Sequence, residues 1–189
     1  MKNLTKLTFA IIFASILFAG CSNQDNPVAP VDPGNGGDPD PVVINTPITM
    51  KIDLISVKGF SKNKTNGDPW DWNPLLPTEQ KPDIYVILQQ TGNHSPSFWS
   101  DRRNNATYTS TYVFTVPKSG YTKLPRNISY GDTYKIYLKD SDFPDSDDSM
   151  GSVSVKPSAI YGKDNATKFD KTLLDGAVKI RVKGTWIYE

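Results

Sequence analysis

Short runs of alternating apolar and polar residues recur along the chain. Ile48, Met50, Ile52 and Leu54 alternate with Thr49, Lys51 and Asp53, the period of a half-buried β-strand. Ile84 to Leu88 is apolar on both faces, as a central strand requires. Tyr112, Phe114 and Val116 share one face of a third run, and Tyr134, Ile136 and Leu138 one face of a fourth, with Lys135 and Lys139 opposite. Val153 and Val155 mark a short fifth strand. Val178, Ile180 and Val182 alternate with Lys179, Arg181 and Lys183 in a long last one. Glycine, proline, asparagine and aspartate fill the gaps. No long stretch has helical periodicity, and 157–162 has room for one turn. The pattern predicts an all-β fold, an antiparallel sandwich of about eight strands.

Two segments stand outside this pattern. Lys2 and Lys6 precede an apolar run from Leu7 to Phe18 and the small pair Ala19-Gly20, the layout of a secretory signal. The run is short for a membrane span. The only cysteine, Cys21, follows the small pair. The segment resembles the lipobox of bacterial lipoproteins, with Phe18 where leucine is more usual. That resemblance implies lipidation of Cys21, export, and a lipid anchor in the bacterial cell envelope, at the periplasmic or outer-membrane surface. Residues 22–41, rich in Pro, Gly, Asn and Asp, read as a disordered tether able to span about 60 Å when extended. Residues 42–189 have the length of one domain.

Composition removes several function classes. With residues 1–21 set apart as the signal and its cysteine, 19 basic face 20 acidic side chains, giving no general pull toward nucleic acid. A single cysteine permits no disulfide within the chain. One histidine, His94 in a polar turn, and no G-x-S-x-G elbow leave nothing that assembles into catalysis, so no enzyme is expected.

The chemistry lies in "LKDSDFPDSDDSMG". Asp140, Asp142, Asp145, Asp147 and Asp148 crowd one loop between two strands. Carboxylates about 4 Å apart repel by roughly 4 kcal/mol at an effective dielectric near 20, so they need open water or a cation. Calcium suits them, since it takes six to eight oxygens in irregular geometry, and the lack of a Cys/His cluster disfavours zinc. The spacing is not an EF-hand. Counted from Asp140, Asp145 stands where glycine is required and Gly151 where glutamate is required. A solvated Asp/Ser turn is the plain alternative.

Asp140-x-Asp142, Asp148 and Met150-Gly151 after a strand resemble the third calcium loop of the C2 domain, the calcium- and phospholipid-binding β-sandwich family. "KPDIYVIL", Lys81 to Leu88, is similar to that family's Asp-Pro-Tyr-Val stretch, with the proline before the aspartate here. The resemblance implies a C2-like fold and calcium bound by Asp83, Asp140, Asp142 and Asp148, with Asp145 as an occasional extra ligand. It also implies an acid about six residues before Asp83, where this chain has Pro77. Asp71 is the favoured substitute, with Asp68 and Glu79 as the other candidates.

Trp70, Trp72, Leu75 and Leu76 lie in the same upstream loop, and Phe143 lies in the acidic one. They suit a lipid-facing tip beside the ions, because a tryptophan ring is apolar while its N–H stays near water. They also suit, and somewhat better, a small satellite core folded back onto the sandwich, since large exposed apolar patches are unusual in monomers. Trp70, Trp72 and Trp99 could also stack on sugar rings. The expected function is thus a tethered domain that binds lipid, glycan or protein in a calcium-dependent way. The alternative is a calcium-independent structural, adhesive or carbohydrate-binding sandwich.

Overall fold

The computed structural model describes residues 45–71, 81–142, 146–162 and 166–189. All of them fall in the compact unit Val42–Glu189. The expected signal, Cys21, the tether, Trp72, Leu75, Leu76, Phe143 and Asp145 lie outside the described residues.

Among the described residues the chain forms nine strands and one helical turn: β1 Thr49–Gly59, β2 Ile84–Gln90, β3 Pro96–Trp99, β4 Tyr112–Phe114, β5 Arg126–Ser129, β6 Tyr134–Asp140, β7 Asp148–Val155, α1 Pro157–Ile160, β8 Lys168–Asp175 and β9 Val178–Ile187. They make two antiparallel sheets. One runs β4-β1-β9-β8, with β5 beside the first half of β1; the other runs β3-β2-β6-β7. This is the expected all-β antiparallel sandwich. Every run expected to be a strand contains one, although β4 stops at Phe114 and leaves Val116 exposed.

Three strands carry too little apolar signal to be read from the sequence. β3, β5 and β8 each bury one large residue, Phe98, Ile128 and Phe169 respectively. They are strands because a neighbour lends its hydrogen-bond ladder, not because their own alternation demands it.

The core fills the space between the sheets. In β6 the alternation is strict, and Tyr134, Ile136 and Leu138 are buried. In β1 the phase slips. Met50 and Ile52 face inward, then Ile55 and Val57 do, and Leu54 is only partly buried. The cause is a bulge between Ile52 and Leu54, opposite Gly184 and Lys183 of β9. Gly184 sits where the strands crowd. A Cβ there would collide with the Lys51 carbonyl oxygen and lie 2.7 Å from Phe169 Cζ.

Candidate metal centre

Strand register brings the separated acids together. Ile84 pairs with Asp140 where β2 begins and β6 ends, and Asp140 pairs with Asp148 where β7 begins. The inward alternation of β6 takes one further step past Leu138, which sends the Asp140 side chain into the sandwich end. Asp140 is 0% exposed. Its Oδ1 accepts the Asp83 N–H at 2.8 Å, and the Ser141 N–H donates to the Asp83 carbonyl at 3.0 Å. Its Oδ2 is buried with no hydrogen-bond partner among the described residues.

Asp71, Asp140 and Asp142 converge, each offering a carboxylate oxygen within 4.8 Å of the others. Of the two described first-loop candidates, Asp71 is therefore the one that reaches the cluster. Asp68 is turned to its own loop, where Asn66 Nδ2 donates to its Oδ2 at 2.7 Å, and Glu79 lies outside the described residues.

Asp83 and Asp148, the other expected ligands among the described residues, flank the trio. Asp83 contributes its main chain to Asp140, while its carboxylate turns aside. Oδ1 accepts the Asn105 N–H at 2.8 Å, and Oδ2 lies 3.6 Å from Arg102 Nη1. Asp148 Oδ2 pairs with Lys64 Nζ at 2.5 Å. Asp147, another of the crowded aspartates, accepts the Tyr85 hydroxyl at 2.5 Å.

Burial and mutual repulsion both disfavour the charged form of these groups. Burial first, then the charges of Asp71 and Asp142, push the Asp140 carboxyl up to about 7, against the Asp83 N–H and Lys64. Burial, with Asp142 and Asp83, pushes Asp71 up to about 6. Burial and the Asp148 charge raise Asp142. Three acids held close with one oxygen unsatisfied fit a hard cation, which prefers carboxylate oxygens and needs no nitrogen or sulfur. The donor set therefore fits calcium.

Trp70 corrects one expectation. Its ring is 5% exposed and its Nε1–H donates to the Ser61 carbonyl at 2.8 Å. It folds inward and joins the sandwich core, and it offers no face to lipid or sugar in this structure. Trp99 is also engaged: it stacks on Tyr85 at 5.8 Å, contacts Tyr121 at 5.0 Å, and carries Lys118 Nζ 4.3 Å over its ring.

Lys64, Arg102 and Asn105 escaped the sequence reading. A cation or a loop N–H that reaches an acid across the fold has no local signature, so nothing in the spacing pointed to them.

No protein-family model and no curated protein matches the chain. Solved structures do. Human GIVD cytosolic phospholipase A2 in complex with methyl gamma-linolenyl fluorophosphonate is similar at 14% identity over 77% of this chain, with a TM-score of 0.46. This chain covers only 18% of that protein's length. A C2 domain of plant extended synaptotagmin 1 is similar at 11% identity, 77% of this chain, 97% of that chain and TM-score 0.43. The calcium-bound tandem C2 domains of extended synaptotagmin 2 give 18% identity, 76% of this chain, 47% of that chain and TM-score 0.44. At 11–18% identity the likeness is one of strand architecture.

Proposed function

We propose that this domain holds calcium at the sandwich end, with Asp71, Asp140 and Asp142 as the central ligands and Asp83 and Asp148 at the rim. The observation that supports this reading is Asp140. A fully buried carboxylate whose Oδ2 has no hydrogen-bond partner among the described residues, beside two more acids, is costly to keep charged. A bound divalent ion supplies positive charge and an electron-pair acceptor for those oxygens. The chain itself aims the carboxylates, buries Asp140 and fixes it through the Asp83 N–H.

The same reading assigns lipidation of Cys21 and an exported, membrane-anchored protein of the bacterial envelope. The tether presents the domain to lipid or another ligand that engages it when calcium is bound. Trp72 directly follows Asp71 and Phe143 directly follows Asp142 in the chain, so apolar side chains adjoin two of the three acids in sequence. With Leu75 and Leu76 they are our candidates for the lipid-facing tip.

The test is isothermal calorimetry of the mature chain carrying Cys21→Ser, titrated with calcium. Binding heat and a rise of several degrees in Tm are expected, both lost in the Asp140→Asn/Asp142→Asn double variant. No heat and no thermal shift at millimolar calcium would overturn the reading.

A second expectation concerns lipid. The same chain should sediment with anionic vesicles in calcium and stay in solution in chelator. Trp72→Ala/Phe143→Ala should weaken the association about tenfold while leaving calcium binding in place. Sedimentation unaffected by that pair of changes would separate the lipid contact from these residues.

One observation favours the calcium-independent alternative, a purely structural or adhesive sandwich. Lys64 already supplies positive charge at Asp148. On that reading the chain is equally stable with and without chelator.

A further inference from the structure

We propose that Lys64 is a tethered counter-cation of the acidic site, which an incoming divalent ion must displace, and that it sets the affinity of the site; this rests on the metal-binding reading above.

The loop after β1 is built to hold this lysine in place. The Lys64 N–H donates to the Asp68 carbonyl at 2.8 Å, and the Gly67 N–H returns to the Lys64 carbonyl at 3.0 Å. Asn63 Nδ2 donates to the Gly67 carbonyl at 2.9 Å, and Asn63 bridges Pro69. The buried Trp70 ring, bonded to Ser61, pins the base of this turn. Gly67, at a φ of 92°, allows the chain to close it. A tight turn with reciprocal main-chain bonds fixes the Cα from which the ammonium reaches Asp148 Oδ2.

One residue past Trp70, the same segment delivers Asp71 to the trio. A single loop therefore brings both a carboxylate for the ion and a cation that competes with the ion.

The charge count explains why the competitor is there. Asp71, Asp140 and Asp142 gather at this end, Asp148 pairs with Asp140 in the adjoining strand, and Lys64 meets the cluster through Asp148. An ammonium offers one charge and three N–H donors. Calcium offers two charges and accepts six to eight oxygens. Lys64 can relieve the repulsion only in part, and it engages Asp148 at the rim while Asp140 Oδ2, deeper in, has no partner among the described residues. For the Asp148 oxygen to join an ion's shell, the Lys64 ammonium must swing into solvent, where its partly exposed stem already leads. The lysine thus supports the ion-free domain and opposes the ion-bound one. It shifts the working range toward higher calcium and makes binding sensitive to ionic strength.

The experiment compares Lys64→Gln and Lys64→Arg with the unaltered residue in the mature Cys21→Ser chain. Calcium calorimetry and melting would be measured in chelator and in saturating calcium. Lys64→Gln is expected to bind calcium about fivefold more tightly, since removing a partly exposed ion pair has an effect of that order. It should melt lower in chelator and no lower in calcium. Lys64→Arg keeps the charge and should stay within about twofold of the parent.

In the unaltered chain, the Lys64 side-chain NMR resonances should shift as calcium is added, which requires no substitution at all. Calcium binding with an unchanged or weaker Kd in Lys64→Gln, or Lys64 resonances that do not move, would overturn the counter-cation role and leave the metal site standing. An unaltered chain that takes up no calcium would overturn both, and that outcome is distinguishable because it needs no variant.

Discussion

Gly184→Ala is expected to unfold most of this domain at temperatures where the parent chain is folded. The added methyl would sit inside the Lys51 carbonyl oxygen of the neighbouring strand, and the Phe169 ring closes the remaining space at 2.7 Å. A flexible side chain could move aside, but a strand carbonyl cannot without breaking its ladder. Lys51 is held on both sides, paired with Thr185 of β9 and Asn127 of β5. The bulge between Ile52 and Leu54 has already used the slack in β1 at this level. A cost of about 4 kcal/mol or more follows, in the range reserved for core overpacking and backbone displacement. That corresponds to a fall in Tm of about 10 °C for a domain of this size. Thermal and urea melting followed by circular dichroism measure it. A variant that melts within about 2 °C of the parent would mean that the two strands part more easily than their pairing implies.

Asp140→Asn should do the opposite in chelator: the domain should melt higher than the parent at pH 8. The reason is the sign of the linkage. The folded chain raises the Asp140 carboxyl from 3.8 to about 7, and Asp71 from 3.8 to about 6. Between those values the folded state holds protons that the unfolded state has released. Stability is therefore fully present below about pH 4 and is lost as the pH rises through 6 and 7. The parent chain without calcium should be more stable at pH 5 than at pH 8.

Asparagine at 140 keeps an oxygen for the Asp83 N–H and turns a donor toward Asp71 and Asp142, while removing the buried charge. A gain of about 5 °C at pH 8, with a flatter pH profile and no response to calcium, is the expected result. Melting curves in chelator from pH 5 to 8 decide it. A loss of stability at pH 8 would show that the carboxylate is already well satisfied without an ion.

How much of this was legible beforehand differs from residue to residue. The β6 alternation of Tyr134, Ile136 and Leu138 implies that the next inward position is Asp140, so its burial could be read from the run itself. The pairing of Asp83 with the acidic loop followed from motif resemblance, and the register of β2 against β6 joins them through the Asp83 N–H. The division of labour within the site was not legible. That Asp71 enters the trio, while the Asp83 carboxylate turns to Asn105 and Asp148 turns to Lys64, depends on loop paths. Equivalent acids in a string of letters carry no record of which way their oxygens point.

The same contrast holds for the fold. Strong runs such as Ile84 to Leu88 are strands wherever they are placed, because their apolar faces must leave water. β3, β5 and β8 bury one large residue each and exist only beside their partners.

The amino-acid sequence by itself determined the all-β character, the inward faces of strands such as β6 and β9 and the concentration of carboxylates in one loop, because alternation and charge density are local properties. Tertiary structure alone decided the bulge at Leu54, the burial of Trp70 and the contact of Lys64 with Asp148. Those depend on which distant segments are brought within a few ångströms, a distance that local preferences do not encode.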